Sequence, residues 1–133
     1  MRGVASRKEV EALFKLGAEQ RYSYLIRRVA DFEEAWGLHS ARGWAALADD
    51  AGKPMFPLWP HAEYVQQCRE LGDPDEVPSR IPLDHLLDVL LPQFVSDGTL
   101  IAAFPTPSGK GVPVLATRFR QDLLRECEQY EEE

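Results

Sequence analysis

Cysteine is nearly absent from this chain, which has only Cys68 and Cys127. Both fall at apolar positions of expected helices, where a free thiol acts as a small hydrophobe, so neither a disulfide framework nor a cysteine metal cluster is expected. Long hydrophobic runs are missing too. The longest, Leu86-Leu87-Asp88-Val89-Leu90-Leu91, is broken by an aspartate and falls far short of the ~20 residues that span a bilayer. Met1-Arg2-Gly3-Val4-Ala5 leads straight into an amphipathic segment with no apolar signal core, so a cytoplasmic protein with no membrane partner is expected. A basic excess is also lacking. Lys and Arg total 15 against 22 Asp and Glu, a formal charge of -7, and Arg21, Arg27 and Arg28 are interleaved with Glu19, Asp31, Glu33 and Glu34. Without a positive stripe to displace phosphate counterions, a nucleic-acid partner is not expected.

What is present reads as one α+β domain over residues 1–133. The chain is 133 residues long, 44% hydrophobic and 28% charged, the balance of a globular domain with one core. Ser6-Arg7-Lys8-Glu9 has the form of a capping box and should start a helix bearing Val10, Leu13 and Phe14. Gly17 offers a break before a second helix with the stripe Tyr22, Leu25, Ile26 and Val29. Phe32 and Trp36 extend that face until Gly37 ends it, giving N-terminal helices over 6–36.

The α+β body should occupy 43–130. Gly43 to Asp49 and Lys53 to Trp59 read as strands around the turn Asp49-Asp50-Ala51-Gly52, and Pro54 and Pro57 place the second at an edge or leave it partly paired. Pro60 suits the first turn of a helix with Tyr64, Val65, Cys68 and Leu71 inward, ending at Gly72. Asp73 to Arg80, with Pro74 and Pro78, reads as a loop. The leucine-rich helix after Pro82 should kink at Pro92, or split off a final turn with Phe94 and Val95 there, and stop at Asp97-Gly98. A second hairpin near 99–115 and a last helix capped by Thr117, with Phe119, Leu123, Leu124 and Cys127 inward, precede a frayed acidic tail at 131–133. The expected architecture is a small mixed or antiparallel sheet of about four strands, two hairpins near 43–59 and 99–115, packed with about five helices.

Chemistry-bearing residues concentrate in Pro57-Leu58-Trp59-Pro60-His61-Ala62-Glu63-Tyr64. His61-Ala62-Glu63 matches half of a zinc deaminase motif, but neither cysteine has a second one three residues away, so zinc would lack two ligands and no metal or other cofactor is expected. Two readings of the junction remain. In one, Trp59 and Tyr64 supply rigid apolar contact and His61 and Glu63 directional hydrogen bonds at a recognition site. In the other, Trp59 is core, His61 caps a helix and Glu63 favours its dipole. Ser108-Gly109-Lys110-Gly111 fails as a phosphate loop, with Phe104 and Gly111 at two required positions, and reads as a flexible hairpin loop in which Lys110 is a candidate contact for an acidic partner. His39 and His85 read as surface or structural histidines, and no serine sits in a nucleophile elbow.

Arg21-Tyr22-Ser23-Tyr24-Leu25-Ile26-Arg27-Arg28-Val29-Ala30-Asp31 with Trp36-Gly37-Leu38, the Pro57 to Tyr64 segment, and Phe104-Pro105-Thr106-Pro107 with Gly109-Lys110-Gly111 together resemble the domain-of-unknown-function 2750 family. The similarity runs from about Arg21 to Leu124, departing at Val65, where alanine is usual, and at Leu90, where tryptophan is. It implies a compact α+β protein of bacterial origin and carries no activity or catalytic residue. The functional expectation is a non-enzymatic protein-binding, adaptor or regulatory domain, its acidic charge suiting a basic partner. The alternative is a small-molecule-binding protein or enzyme using His61 and Glu63, with Trp59 and Tyr64 lining the pocket.

Overall fold

The computed structural model describes residues 7–69, 75–107, 109 and 111–131. Helix α1 (Arg7–Phe14) and helix α2 (Ala18–Phe32) are separated at Gly17, as its weak helix propensity suggests. Ser6, the expected cap, lies outside the described residues. The stripe of α2 is buried at Leu25, Ile26, Val29 and Ala30.

The first departure from the sequence reading follows immediately. Helix α2 stops at Phe32, where Glu33 takes the left-handed conformation, φ 58°. Glu34–Ser40 is then a strand, β1, in place of a helical extension through Trp36. Gly37 does not terminate a helix: a Cβ there would meet the Trp44 ring at 3.2 Å, so its role is close approach inside a sheet. β1 pairs antiparallel with β2 (Gly43–Trp44) and with β5 (Val77–Pro82). β5 occupies much of the expected loop. As the sheet's edge it tolerates Pro78 and Pro82, residues that signal a loop only if an internal strand is required.

The second sheet is the mixed one expected, in the order β3-β4-β6-β7. It comprises β3 (Leu47–Ala48), β4 (Pro54–Leu58), β6 (Leu100–Ala103) and β7 (Val112–Val114), with β4 and β6 parallel and the outer pairs antiparallel. The single strand expected over Gly43 to Asp49 is split, its first half serving one sheet and its second the other. The β3–β4 turn is held as its sequence suggests: Asp49 Oδ1 accepts from the Ala51 and Lys53 amides at 2.9 and 2.7 Å, and Gly52 has φ 85°.

β3 reaches only Pro54 and Met55, which leaves β4 partly paired where Pro57 lacks a donor. Two residues further on, Trp59 exchanges both backbone hydrogen bonds with Trp36 at 2.9 Å, and this bridge joins the two sheets. Helix α3 (Ala62–Arg69) follows at once; its expected end at Gly72 lies outside the described residues.

Helix α4 covers 83–97 without a break, as an α-helical turn Leu83–His85, a π-helical turn Leu86–Leu90 and an α-helical Leu91–Asp97. Pro92 was expected to kink or split it. Instead the turn before Pro92 widens, and the Leu91 amide donates to Leu86 in place of Leu87. The Leu87 carbonyl thus freed accepts from Arg120 Nε at 3.0 Å, a contact from helix α5 (Ala116–Glu131). Thr117, expected as the cap of α5, lies one residue inside it. Leu86, Leu90, Leu91, Phe119 and Leu123 are buried together with the α2 stripe, so the core lies between these helices and the sheets. Among the described residues no helix is long and apolar enough to cross a membrane.

Candidate functional site

The Trp36–Trp59 bridge fixes the backbone just before α3, and the side chains that follow have little freedom. Trp59 is 2% exposed and its Nε1 donates to the Pro105 carbonyl at 3.0 Å, tying the junction to the segment after β6. Cys68 Sγ donates to the same carbonyl at 3.4 Å, and burial pushes its thiol up to about 11, so it is an inert structural thiol. The reading of Trp59 as core is therefore the observed one. Lys110 lies outside the described residues.

His61, Glu63 and Tyr64 differ from Trp59 in one respect. His61 Nδ1, Glu63 Oε2 and the Tyr64 hydroxyl are all shielded from solvent, and none has a hydrogen-bond partner among the described residues. His61 is 1% exposed and Tyr64 0%. The two rings stack with centroids 5.7 Å apart, and the Phe32 ring lies tilted against His61 at 5.2 Å. An interior hydroxyl or imidazole nitrogen without a partner costs about 1–3 kcal/mol, which makes three in one cluster an expensive arrangement for packing alone.

Charge enters from α2. Arg28 packs its guanidinium over the rings of Phe32 and Tyr24, 4.7 and 5.3 Å from their centroids, and its Nε donates to the Tyr24 hydroxyl at 2.9 Å. The Asp31 carboxylate also acts on it electrostatically. Burial lowers the His61 pKa, and the nearby Arg28 charge lowers it further, while Glu63, Glu34 and Glu9 oppose the shift. Of these, Glu34 is already held by Trp36 Nε1 at 2.9 Å and Arg80 Nε at 2.6 Å. Burial raises the Tyr64 phenol, and the neighbouring Tyr24 hydroxyl and Glu9 raise it further, so Tyr64 stays protonated and can donate. At neutral pH the cluster offers a neutral imidazole, a phenol donor, a guanidinium and a carboxylate oxygen. Among the described residues no group of three or more His, Cys, Asp and Glu could hold a metal ion.

Phe104 closes the aromatic side. Its ring lies 4.9 Å from Tyr64 and 6.1 Å from Tyr24, and its backbone sits at φ 51°, a conformation that costs a bulky residue ~1–3 kcal/mol. The amide donates to Leu58 and the carbonyl accepts from Arg21 Nε at 3.3 Å, which together hold the strained residue in place. Gly111 has φ 93°, and a Cβ there would come within 2.9 Å of the Ala103 carbonyl, so the chain can return beneath Phe104 only with glycine.

Residues 22–123 match the model of a family described as Protein of unknown function (DUF2750). The chain belongs to that family. No curated protein and no solved structure matches it. The segments bearing the family resemblance converge on this cluster: Tyr24 and Arg28 from the first, Trp36 from the second, His61, Glu63 and Tyr64 from the third, and Phe104 with Pro105 from the last. In this DUF2750 chain, α1 and the first turn of α2 lie ahead of the matched region.

The sequence names His61, Glu63 and Tyr64 as candidates but not Tyr24, Arg28 and Phe104, which the structure brings beside them. Tyr24 and Arg28 are spaced i and i+4, so they share one face of α2, a signal that was legible beside the apolar stripe. Phe104 carries no local mark, because its role comes from a backbone conformation.

Proposed function

We propose that this chain is a small-molecule-binding protein whose site is the His61–Glu63–Tyr64 cluster with Arg28. The observation that carries this reading is the set of three buried polar atoms without partners at the start of α3. Tyr64 and Arg28 suit an oxygen-rich, negatively charged group on the ligand, and Glu63 suits a hydroxyl or amino donor on the same molecule. Phe32 and Phe104 supply apolar walls, and burial of the polar groups favours recognition by hydrogen bonds over a broad contact surface. His61, neutral near pH 7, can take either partner at Nδ1 and is also suited to proton transfer.

A protein-binding or adaptor role keeps the acidic charge in its favour. It loses the feature that made the junction attractive as a docking surface, since Trp59, His61 and Tyr64 are interior. The small-molecule reading is therefore placed first.

Thermal-shift titration of wild type and Tyr64→Phe with inorganic phosphate, small carboxylates and free amino acids tests it. A ligand bound only by the folded state raises the melting temperature in a concentration-dependent way. A shift in wild type that is lost in Tyr64→Phe supports the assignment. An equal shift in both variants, or none with any of the three classes, contradicts it.

A further inference from the structure

Helices α2 and α5 run in the same direction. Tyr22 meets Phe119 and Asp122, and further along α2 Asp31 shares a cleft with Leu124 and Cys127. The carbonyl ends of both helices, the negative ends of their dipoles, therefore lie toward one side of the molecule. Neither helix has a basic residue in its last turn, where Lys or Arg ordinarily offsets that charge.

The start of α4 bounds the same cleft. Its first amide, at Leu83, donates to the Glu33 carbonyl at 2.9 Å, so α4 begins against the residue that ends α2. The cleft has a volume of about 380 Å³. Leu83, Leu87, Leu124 and Cys127, all half-buried, give it an apolar floor, and Asp31 and Glu33 bring carboxylates to its α2 side. Two cations stand near without lining it. Arg28 interacts electrostatically with Asp31 but keeps its guanidinium over Phe32 and Tyr24, and Arg120 is tied to the Leu87 carbonyl at 3.0 Å. Exposed Asp84, Asp88 and Glu128, on the adjoining turns of α4 and α5, keep the local balance negative.

Size separates a small ligand from a protein partner here. A cleft of this volume falls at the lower end of the ~300–1,000 Å³ range of small-molecule pockets. The large apolar side chains exposed among the described residues, Val77, Val89, Val95 and Leu115, do not line it, so its floor does not continue into a patch of the area that a stable protein interface buries.

We propose that this cleft binds a small organic cation with an apolar body, an alkylammonium or arylalkylammonium compound, with the ammonium at Glu33 and Asp31 and the hydrocarbon against the leucines and Cys127. The assignment stands independently of the His61 reading, because no residue of that cluster lines the cleft.

Amide NMR of the full chain, titrated separately with phenethylamine, 2-phenylethanol and 3-phenylpropanoate, tests it. The three probes share a phenylethyl body and carry a positive, a neutral and a negative head. Phenethylamine should shift the Asp31, Leu87 and Cys127 amides saturably, the alcohol should bind more weakly, and the carboxylate should not saturate. Glu33→Gln, at an exposed position, should weaken the amine by roughly twofold to fivefold, the effect of one exposed charge, whereas Glu19→Gln in the first turn of α2 should not. Cys127→Phe should fill the floor and abolish saturation by the amine; if it fails to fold, the smaller Cys127→Leu should weaken binding. No saturable shift with the amine, equal binding of the carboxylate, shifts at His61 and Tyr64 in place of the cleft, or unchanged affinity in Glu33→Gln overturns the proposal.

Discussion

Tyr22 packs against the core that contains Tyr64, and each has its phenol pKa raised chiefly by burial. They differ in what their hydroxyls meet. Tyr22 donates to Asp122 Oδ2 at 2.6 Å across the α2–α5 contact, and Asp122 is in turn approached by Arg118 and Arg125. Tyr64 faces only the neighbouring Tyr24 hydroxyl, without a well-formed hydrogen bond, and its neighbours His61 Nδ1 and Glu63 Oε2 have no hydrogen-bond partner. The α2–α5 side therefore uses its buried polar atoms to hold helices together. The α3 side spends stability on atoms that hold nothing in the fold itself. That contrast separates structural polarity from polarity available to a ligand, and it is the basis of the functional reading.

The contrast can be broken most forcefully at the frame. Trp59→Ala should destabilise by about 3–5 kcal/mol, since it removes a buried indole, the hydrogen bond to Pro105 and the packing where the two sheets join. Urea denaturation checks this, and a loss below about 1 kcal/mol would mean the junction is not the structural frame described. Tyr22→Phe comes next. Leaving Asp122 without its phenol donor should cost about 1.5–3 kcal/mol, the range for hydrogen bonds to charged groups, and a neutral result would erase the distinction between the two tyrosines.

A third effect sharpens the α3 side. Because the folded pKa of His61 lies below the ordinary imidazole value of about 6.5, the unfolded chain binds more protons as pH falls through that value. The His61 contribution is complete above about pH 7 and is lost progressively as pH falls below about 6.5, towards the folded value. Arg28 deepens this loss, while Glu63, Glu34 and Glu9 limit it. His61→Gln should flatten the stability profile between about pH 7 and 5.5, with the exposed His39 and His85 common to both proteins. An identical profile in the variant would show that His61 is not held neutral by its surroundings.

Much of this was legible in the sequence because it was local. The two hairpin partnerships, the break at Gly17, the Asp49 turn and the core faces of α2 and α5 follow from periodicity and turn chemistry. The three-stranded sheet was not legible. β1 begins with helix-compatible residues and β5 is bracketed by prolines, so each is a strand only because the other supplies its partner. The π-helical turn before Pro92 likewise depends on Arg120, distant in the chain, to satisfy the carbonyl it frees. For the site, residue types were readable at His61, Glu63 and Tyr64, but their burial was not. A Pro-Leu-Trp-Pro-His segment looks the same whether its side chains face solvent or one another.

The most direct test of the central claim is the unfolding free energy of Tyr64→Phe in urea, measured without added ligand. Removing a hydroxyl that is buried and unpartnered should leave the fold unchanged in stability or stabilise it by about 1 kcal/mol, opposite in sign to Tyr22→Phe. A loss of about 1 kcal/mol or more would show that the Tyr64 hydroxyl has a structural partner, and the case for a ligand site at the start of α3 would fall with it.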